Sequence, residues 1–232
     1  MIDFHSHILP EIDDGSSSVE ESLAMLSALR GQGVDTVVAT SHFYASHRSP
    51  GAYLERRNRA YERLAAILPE TAPRILLGAE VLFFPGISRM EDLVSLCTEG
   101  TNVLLLEMPF TSWSEHMIRE VKDLAYSGKV TIVMAHIERY YFKQPVSVWD
   151  EFLDLDILMQ SNADFFLPFR TRRKAIRLLQ EGRIHLLGTD CHNMSNRAPH
   201  MDEARERICK HCGADKLREI DALGRVVLQN VL

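Results

Sequence analysis

Seven short runs of apolar, β-prone residues recur along the chain, separated by longer stretches whose apolar positions fall three and four apart. The runs are MIDF (1–4), VDTVVAT (34–40), RILLGA (74–79), NVLLL (102–106), VTIVMA (130–135), DILMQSN (156–162) and IHLLGT (184–189). Most are continuously apolar, the pattern of parallel strands covered on both faces. Ser18-Val-Glu-Glu21 has the form of a capping box, with Val19, Leu23, Leu26 and Leu29 at helical spacing and Gly31 and Gly33 as stops. Residues 52–68 repeat the pattern through Leu54, Tyr61, Leu64 and Leu68. Further helices are expected at 88–98, 115–127, 147–154, 171–181, 201–212 and 214–229. Seven β-then-α units predict an α/β fold, either a parallel barrel or a doubly wound sheet. With no linker, repeat or low-complexity segment, residues 1–232 are expected to form one domain.

Composition narrows the class. Apolar residues make up 46% and charged residues 25%, which are globular values, and the net charge of -6 gives no support for nucleic-acid binding. The richest apolar stretch, ILLGAEVLFFPGI, is interrupted by Glu80 and Pro85, so no spanning helix is expected. MIDFHSH lacks the basic segment and apolar core of a signal peptide, which makes cytoplasmic residence the expectation. Four cysteines do not make a disulfide framework, and the single CxxC (Cys209, Cys212) has no second pair at zinc-ribbon spacing.

Chemistry gathers where the strands end. The first run leads into His5 and His7 and the second into His42. The third reaches Glu80, the fourth Glu107, the fifth His136, and the seventh Asp190 and His192. His, Asp and Glu total 42 of 232 residues, so their presence after six of seven runs exceeds what random placement gives. In a barrel those ends share one face, which favours the barrel over the open sheet. In an extended His5-Ser6-His7 both imidazoles point to one side. Glu107, in LLLEMPF, needs a cation or strong donors if it is buried. Five imidazoles and three carboxylates exceed the roughly four to six ligands of one ion, which implies two or three ions. Mixed nitrogen and oxygen ligands suit Mn, Fe or Zn. His47, His116, His185, His200 and His211 have no such placement.

Arg139 and Arg197 each follow a candidate ligand by a few residues, and guanidinium forks suit phosphate oxygens. Cys191 and Arg197 also have the spacing of a cysteine-dependent phosphatase loop, although HNMSN between them contains no glycine for converging backbone amides. The basic stretch RTRRKAIRLLQEGR (170–183) is either a solvated helix face or a docking surface for an acidic or phosphorylated partner.

MIDFHSHILPEIDDG, TSHF (40–43), GAE (78–80), LLLEMPF (104–110), AHIERY (135–140) and TDCHN...R (189–197) together resemble one family along essentially the whole chain. It is the manganese-dependent bacterial protein-tyrosine phosphatases of the polymerase and histidinol phosphatase (PHP) superfamily, typified by capsule and exopolysaccharide regulators. The resemblance implies a distorted (β/α)7, TIM-like barrel with a trinuclear metal site. Its metal ligands would fall on His5, His7, His42, Glu80, Glu107, His136, Asp190 and His192, and its phosphate-binding arginines on Arg139 and Arg197. It also implies that phosphate is removed from the tyrosine-rich tail of an autophosphorylating bacterial tyrosine kinase. Metal-bound hydroxide would attack directly, without a covalent enzyme intermediate. The chain departs from the family pattern at Glu11, where glycine is usual, at Ile137, where proline is common, and in QSNADFF after the sixth run. Four alternatives remain: a thiolate enzyme using Cys191, an amidohydrolase-like barrel, a small-molecule phosphatase acting on histidinol phosphate, and an idle module that only binds phosphotyrosine or a kinase. Oligomeric state is not legible.

Overall fold

The computed structural model describes residues 1–229 and 231, and all its strands run parallel. β1 (Ile2–Ser6), β2 (Thr36–Ala39) and β4 (Arg74–Leu77) pair in the order β1-β2-β4. β3 (His42–Phe43), β5 (Glu80–Leu82), β6 (Val103–Glu107), β7 (Thr131–Met134), β8 (Leu158–Asn162) and β9 (Leu186–Gly188) form a second ladder in that order. The expected second and third strands are thus each broken in two, β2 running into β3 and β4 into β5. Gly78 N–H on Ala39 O (2.9 Å) and Glu80 N–H on Ser41 O (3.1 Å) carry the pairing across the breaks. The last strand returns to the first: Asp190 N–H donates to His5 O at 2.7 Å and His7 N–H to Cys191 O at 2.9 Å. A seven-position parallel ring results, the α/β barrel anticipated above.

Among the described residues seven α-helices cover the outside: α1 (Val19–Gly31), α2 (Pro50–Ala65), α3 (Glu115–Tyr126), α4 (Val146–Leu153), α5 (Phe169–Gln180), α6 (Met201–Cys212) and α7 (Ala214–Val227). The side chain of Ser18 caps α1 by accepting from Glu21 N–H, as the capping box predicts. The helix expected at 88–98 is absent. Two 3-10 segments, Ile87–Arg89 and Glu91–Leu96, take its place. Gly86 at φ 91 opens them without a side-chain cap, and Met90 is extended between them, so no helical ladder propagates. Among the described residues no helix is long and apolar enough to cross a membrane.

Strand alternation sorts the interior into two layers. Phe4, Val38, Leu76, Leu105, Val133 and Leu186 pack together inside the ring, with Leu228 beyond α7 joining them. Their neighbours Val37, Ile75, Leu104, Ile132 and Leu187 belong instead to the outer core beneath the helices. Two or four residues beyond the inward apolar set, the same parity brings His42, Glu80, Glu107, Gln160, Asn162 and Asp190 to the carboxyl end. On β1 the register shifts between Asp3 and Ser6, which lets His5 turn inward as well as Phe4.

Closure of the ring depends on two close fits. At Gly188 an added Cβ would stand 2.5 Å from His5 Cβ and 2.9 Å from His5 N. Asp3 is fully buried and accepts from Thr189 N–H (2.8 Å), the Thr189 hydroxyl (2.6 Å) and His5 N–H (3.2 Å). Burial outweighs these donors and raises its carboxyl from 3.8 to about 6.

Gly188→Ala should lower stability by about 1–3 kcal/mol in urea unfolding; an unchanged midpoint would show that His5 yields freely. The Asp3 proton should leave a pH signature. Its raised native pKa means the folded chain binds more protons than the unfolded chain between 3.8 and about 6. Its contribution should therefore fall as pH rises through that window, by on the order of 3 kcal/mol. Asp3→Asn should flatten that slope, and parallel wild-type and variant curves would contradict it.

Candidate metal centre

The eight ligand types read from the strand ends converge at the carboxyl mouth of the ring. His5 Nε2 lies 3.2 Å from His7 Nε2, 3.3 Å from Glu80 Oε2 and 3.5 Å from Asp190 Oδ1. His7 Nε2 lies 3.3 Å from the same Glu80 oxygen and 3.4 Å from the same Asp190 oxygen. A tetrahedron of ligands about 2.0–2.1 Å from a central ion has edges of about 3.3–3.4 Å. His5, His7 and Glu80 thus present one triangular face of such a polyhedron, while Asp190 groups with His5 and His136 in an adjoining set.

Two more groups adjoin it. His42, Glu80 and Glu107 offer atoms within one coordination sphere, with His136 Nε2 2.7 Å from Glu80 Oε1 and 3.4 Å from Glu107 Oε1. On the other side His7, Asp14, His42 and His192 cluster, Asp14 Oδ1 standing 3.3 Å from His42 Nε2 and 3.4 Å from His192 Nε2. Among the described residues the buried atoms Glu80 Oε2, His42 Nδ1 and His192 Nε2 have no well-aligned hydrogen-bond partner, although His42 Nδ1 lies 3.0 Å from Glu80 Oε2 and each faces one of these groups. Such atoms are costly unless a cation takes them up.

The imidazoles are turned for that purpose. His7 Nδ1 donates to Asp13 Oδ2 at 2.8 Å, His5 Nδ1 to Gln160 Oε1 at 3.3 Å, and His192 Nδ1 to Asp190 O at 2.9 Å. Each bond spends the Nδ1 proton on an anchor and leaves an Nε2 lone pair facing the centre. Burial and the neighbouring His7 push His192 down to about 4, so it is neutral near pH 7. Burial opposes charge on His136, yet Glu107 and Glu80 more than offset it and hold that ring up to about 9. Burial works against ionisation of Glu80 too, but four surrounding imidazoles keep its carboxyl well below the usual range. Five carboxylates (Asp13, Asp14, Glu80, Glu107, Asp190) face two guanidiniums here, an anionic excess suited to divalent ions.

Those guanidiniums are Arg139 and Arg197. They reach Asp190 Oδ2 at 2.5 Å and Oδ1 at 2.8 Å, and both line a cleft of about 270 Å³ shared with Asn162, Phe165 and Pro168. About a third of each side chain remains exposed. The cleft opens beside the metal groups and presents two forks to an anion.

Residues 1–224 match the capsular polysaccharide synthesis family CpsB/CapC. The chain belongs to this family. Within it, the tyrosine-protein phosphatase CpsB of Streptococcus pneumoniae is 29% identical over 235 residues, 95% of this chain and 94% of the relative. The tyrosine-protein phosphatase YwqE of Bacillus subtilis is 27% identical over 240 residues, 99% of this chain and 92% of the relative. The fold matches crystal structures of Bacillus subtilis YwqE and Streptococcus pneumoniae CpsB, described as unique metal-dependent tyrosine phosphatases. The TM-score is 0.85, with 25% identity, over 99% of this chain and 95% of that one.

For this CpsB/CapC chain, strand ends alone leave out four residues that the structure adds. Asp13 holds His7 and also accepts from His42 N–H at 2.8 Å. Asp14 joins the outer group. Gln160 accepts from His136 N–H at 2.7 Å, and Asn162 Nδ2 donates to Asp190 Oδ2 at 2.8 Å. DDG beside the first motif was a signal for the aspartates. A polar pair two residues apart in an otherwise buried strand was the signal for Gln160 and Asn162.

Cys191 is buried between two ligand-type residues and away from the cleft lining. Burial, reinforced by Asp3, pushes its thiol well up, so no thiolate forms near neutral pH. Cys191→Ala should therefore keep any hydrolytic turnover within about threefold of wild type, and iodoacetamide should not abolish it. Loss of all turnover in a folded Cys191→Ala variant would restore the thiolate alternative.

Proposed function

We propose that the chain is a metal-dependent protein-tyrosine phosphatase acting on the phosphotyrosyl tail of a bacterial tyrosine kinase. The observation that carries this is the joint placement of overlapping ligand groups and two arginine side chains at one mouth. In this reading His5, His7, Glu80, His136 and Asp190 would hold one ion from two adjoining groups, and Glu80, Glu107 and His42 would hold a second. His7, Asp14, His42 and His192 offer a third position. The PHP-family resemblance makes manganese the first metal to test, with iron or zinc next. Divalent ions held there supply Lewis acidity and water that ionises near neutral pH.

The chain's own residues do the rest. Arg139 and Arg197 bind phosphoryl oxygens bidentately and neutralise charge as the phosphorus–oxygen bond breaks. Asp13, Gln160 and Asn162 hold His7, His5 and Asp190 in orientation, so little reorganisation accompanies the reaction. Phe165 and Pro168 give the cleft an apolar wall opposite the arginines. No side-chain nucleophile is needed: one water would form the new P–O bond in line as the P–O bond to the tyrosyl oxygen breaks, and a proton from that water would end on the tyrosyl oxygen, leaving an unmodified tyrosyl side chain and inorganic phosphate.

EDTA dialysis should abolish hydrolysis of a phosphotyrosyl peptide, and manganese should restore it; full activity in verified metal-free protein overturns the proposal. Arg197→Ala should lower kcat/KM about 100- to 1000-fold with ion content unchanged. Faster turnover of histidinol phosphate than of the peptide would assign the site to a small-molecule phosphatase. Tight peptide binding without phosphate release would make it an idle module.

A further inference from the structure

Apart from Thr171 on the cleft wall, the basic segment at 170–183 takes no part in the site, and its local chemistry is unfavourable to the fold. α5 carries Arg170, Arg172, Arg173, Lys174 and Arg177 with no acidic residue in its first turn. Arg170 and Lys174, and Arg173 and Arg177, are like charges four apart, which repel on a helix. The cations also sit towards the amino end, where the helix dipole disfavours them. Little nearby compensates. Among the described residues Arg170, Arg173 and Lys174 have no carboxylate within ion-pair distance, and Arg177 reaches Glu181 only at 3.7 Å. A chain of net charge -6 therefore concentrates unpaired positive charge on one helix.

That charge lines a groove of about 770 Å³ whose walls, from Phe169 to Gln180 with His211 of α6, contain no acidic residue. Two aromatic rings are exposed beside it. Phe169 is 86% exposed, and Phe142, 47% exposed, lies under Lys174 Nζ at 4.7 Å. The groove adjoins the catalytic cleft. Pro168 and Thr171 line the cleft, and Phe169, Arg170 and Arg172 line the groove. Phe142 lies three residues beyond Arg139 on the segment after β7, and the two depressions meet along the chain from Pro168 to Arg172.

We propose that this groove docks an acidic segment of the polypeptide substrate, the few residues flanking the phosphotyrosine whose phosphate enters the cleft. The proposal rests on the phosphatase reading above. α5 is about 18 Å long, which about five residues of extended chain would span. Carboxylates there would meet Arg170, Arg173 and Lys174, while Phe169 and Phe142 would cover the chain's apolar atoms. A groove that starts at Phe169, next to Pro168 of the cleft wall, fits a chain segment leaving the cleft better than the flat face of an anionic bilayer. Electrostatic docking of this kind raises encounter rate and selectivity and is screened by salt.

The test uses the metal-loaded enzyme and the triple variant Arg170→Glu/Arg173→Glu/Lys174→Glu, which changes only exposed side chains. Two phosphotyrosyl peptides are compared, one flanked by Asp and Glu and one by Asn and Gln, with p-nitrophenyl phosphate as a substrate too small to reach the groove. The variant should raise KM for the acidic peptide about tenfold or more at low salt. The neutral peptide and p-nitrophenyl phosphate should be unaffected, and the difference should shrink at high salt. Equal KM values for the acidic peptide in wild type and variant overturn the groove. So does charge-dependent cosedimentation with phosphatidylglycerol vesicles in place of peptide selectivity. If p-nitrophenyl phosphate is not turned over, the phosphatase reading fails instead. Fluorescence anisotropy of the labelled acidic peptide then still decides the groove, with equal Kd values overturning it.

Discussion

The two-residue period of a parallel strand is the constraint on which this structure depends. Inside the ring it fixes which positions meet, and the chain uses that in two tiers. Low in the barrel the inward positions are Val38, Leu76, Leu105, Val133 and Leu186, a dry plug. One or two steps further along the same strands they become His42, Glu80, Glu107 and Asp190, with Gln160 and Asn162 from β8. The apolar tier supplies burial, at about 25 cal/mol per Å² removed from water. It also gives the polar tier a rigid floor. A slip of one residue in any strand would exchange a candidate ligand for an outward-facing neighbour. β1 is the exception, since its register shift adds the inward position that lets His5 face the centre above Phe4.

Strain accumulates where this scheme ends. His136 and Asp190 are non-glycine residues at φ 27 and φ 54, each at the point where a strand gives way to a loop. Such conformations cost on the order of 1–3 kcal/mol each and persist only when the surroundings impose them. Here the imposing contacts are explicit: Gln160 takes the backbone N–H of His136, and Asn162, Arg139 and Arg197 hold the carboxylate of Asp190. Glu11, at φ 60, is a third case. Its carbonyl accepts from Arg56 and its carboxylate pairs with Arg63, and those ties hold a turn where glycine would bend freely.

Much of this was legible from residue order because barrel topology turns linear position into spatial position. A residue after a strand lies at one mouth, so His5 and His192 could be assembled without any knowledge of distance. Asp13 and Asp14 were harder, because a loop can carry a side chain in any direction and DDG reads equally well as a turn. Gln160 and Asn162 were passed over because neutral amides attract attention only once their partners are known. The segment at 88–98 had helical spacing, but spacing records which residues face inward. It does not show whether Gly86 and Met90 allow a continuous ladder. QSNADFF differs from the family's small-residue run at the positions that anchor His5 and Asp190 and put Phe165 on the cleft wall.

The plug under the metal tier also governs traffic. Phe4 fills the amino-terminal end of the ring tightly enough that a Cβ on Gly224 of α7 would come within 2.9 Å of it, and Leu228 closes over the same cluster. The interior is therefore a blind well rather than a tunnel. Whatever reaches the polar tier must enter and leave by the same carboxyl mouth, so arrival and departure share one path.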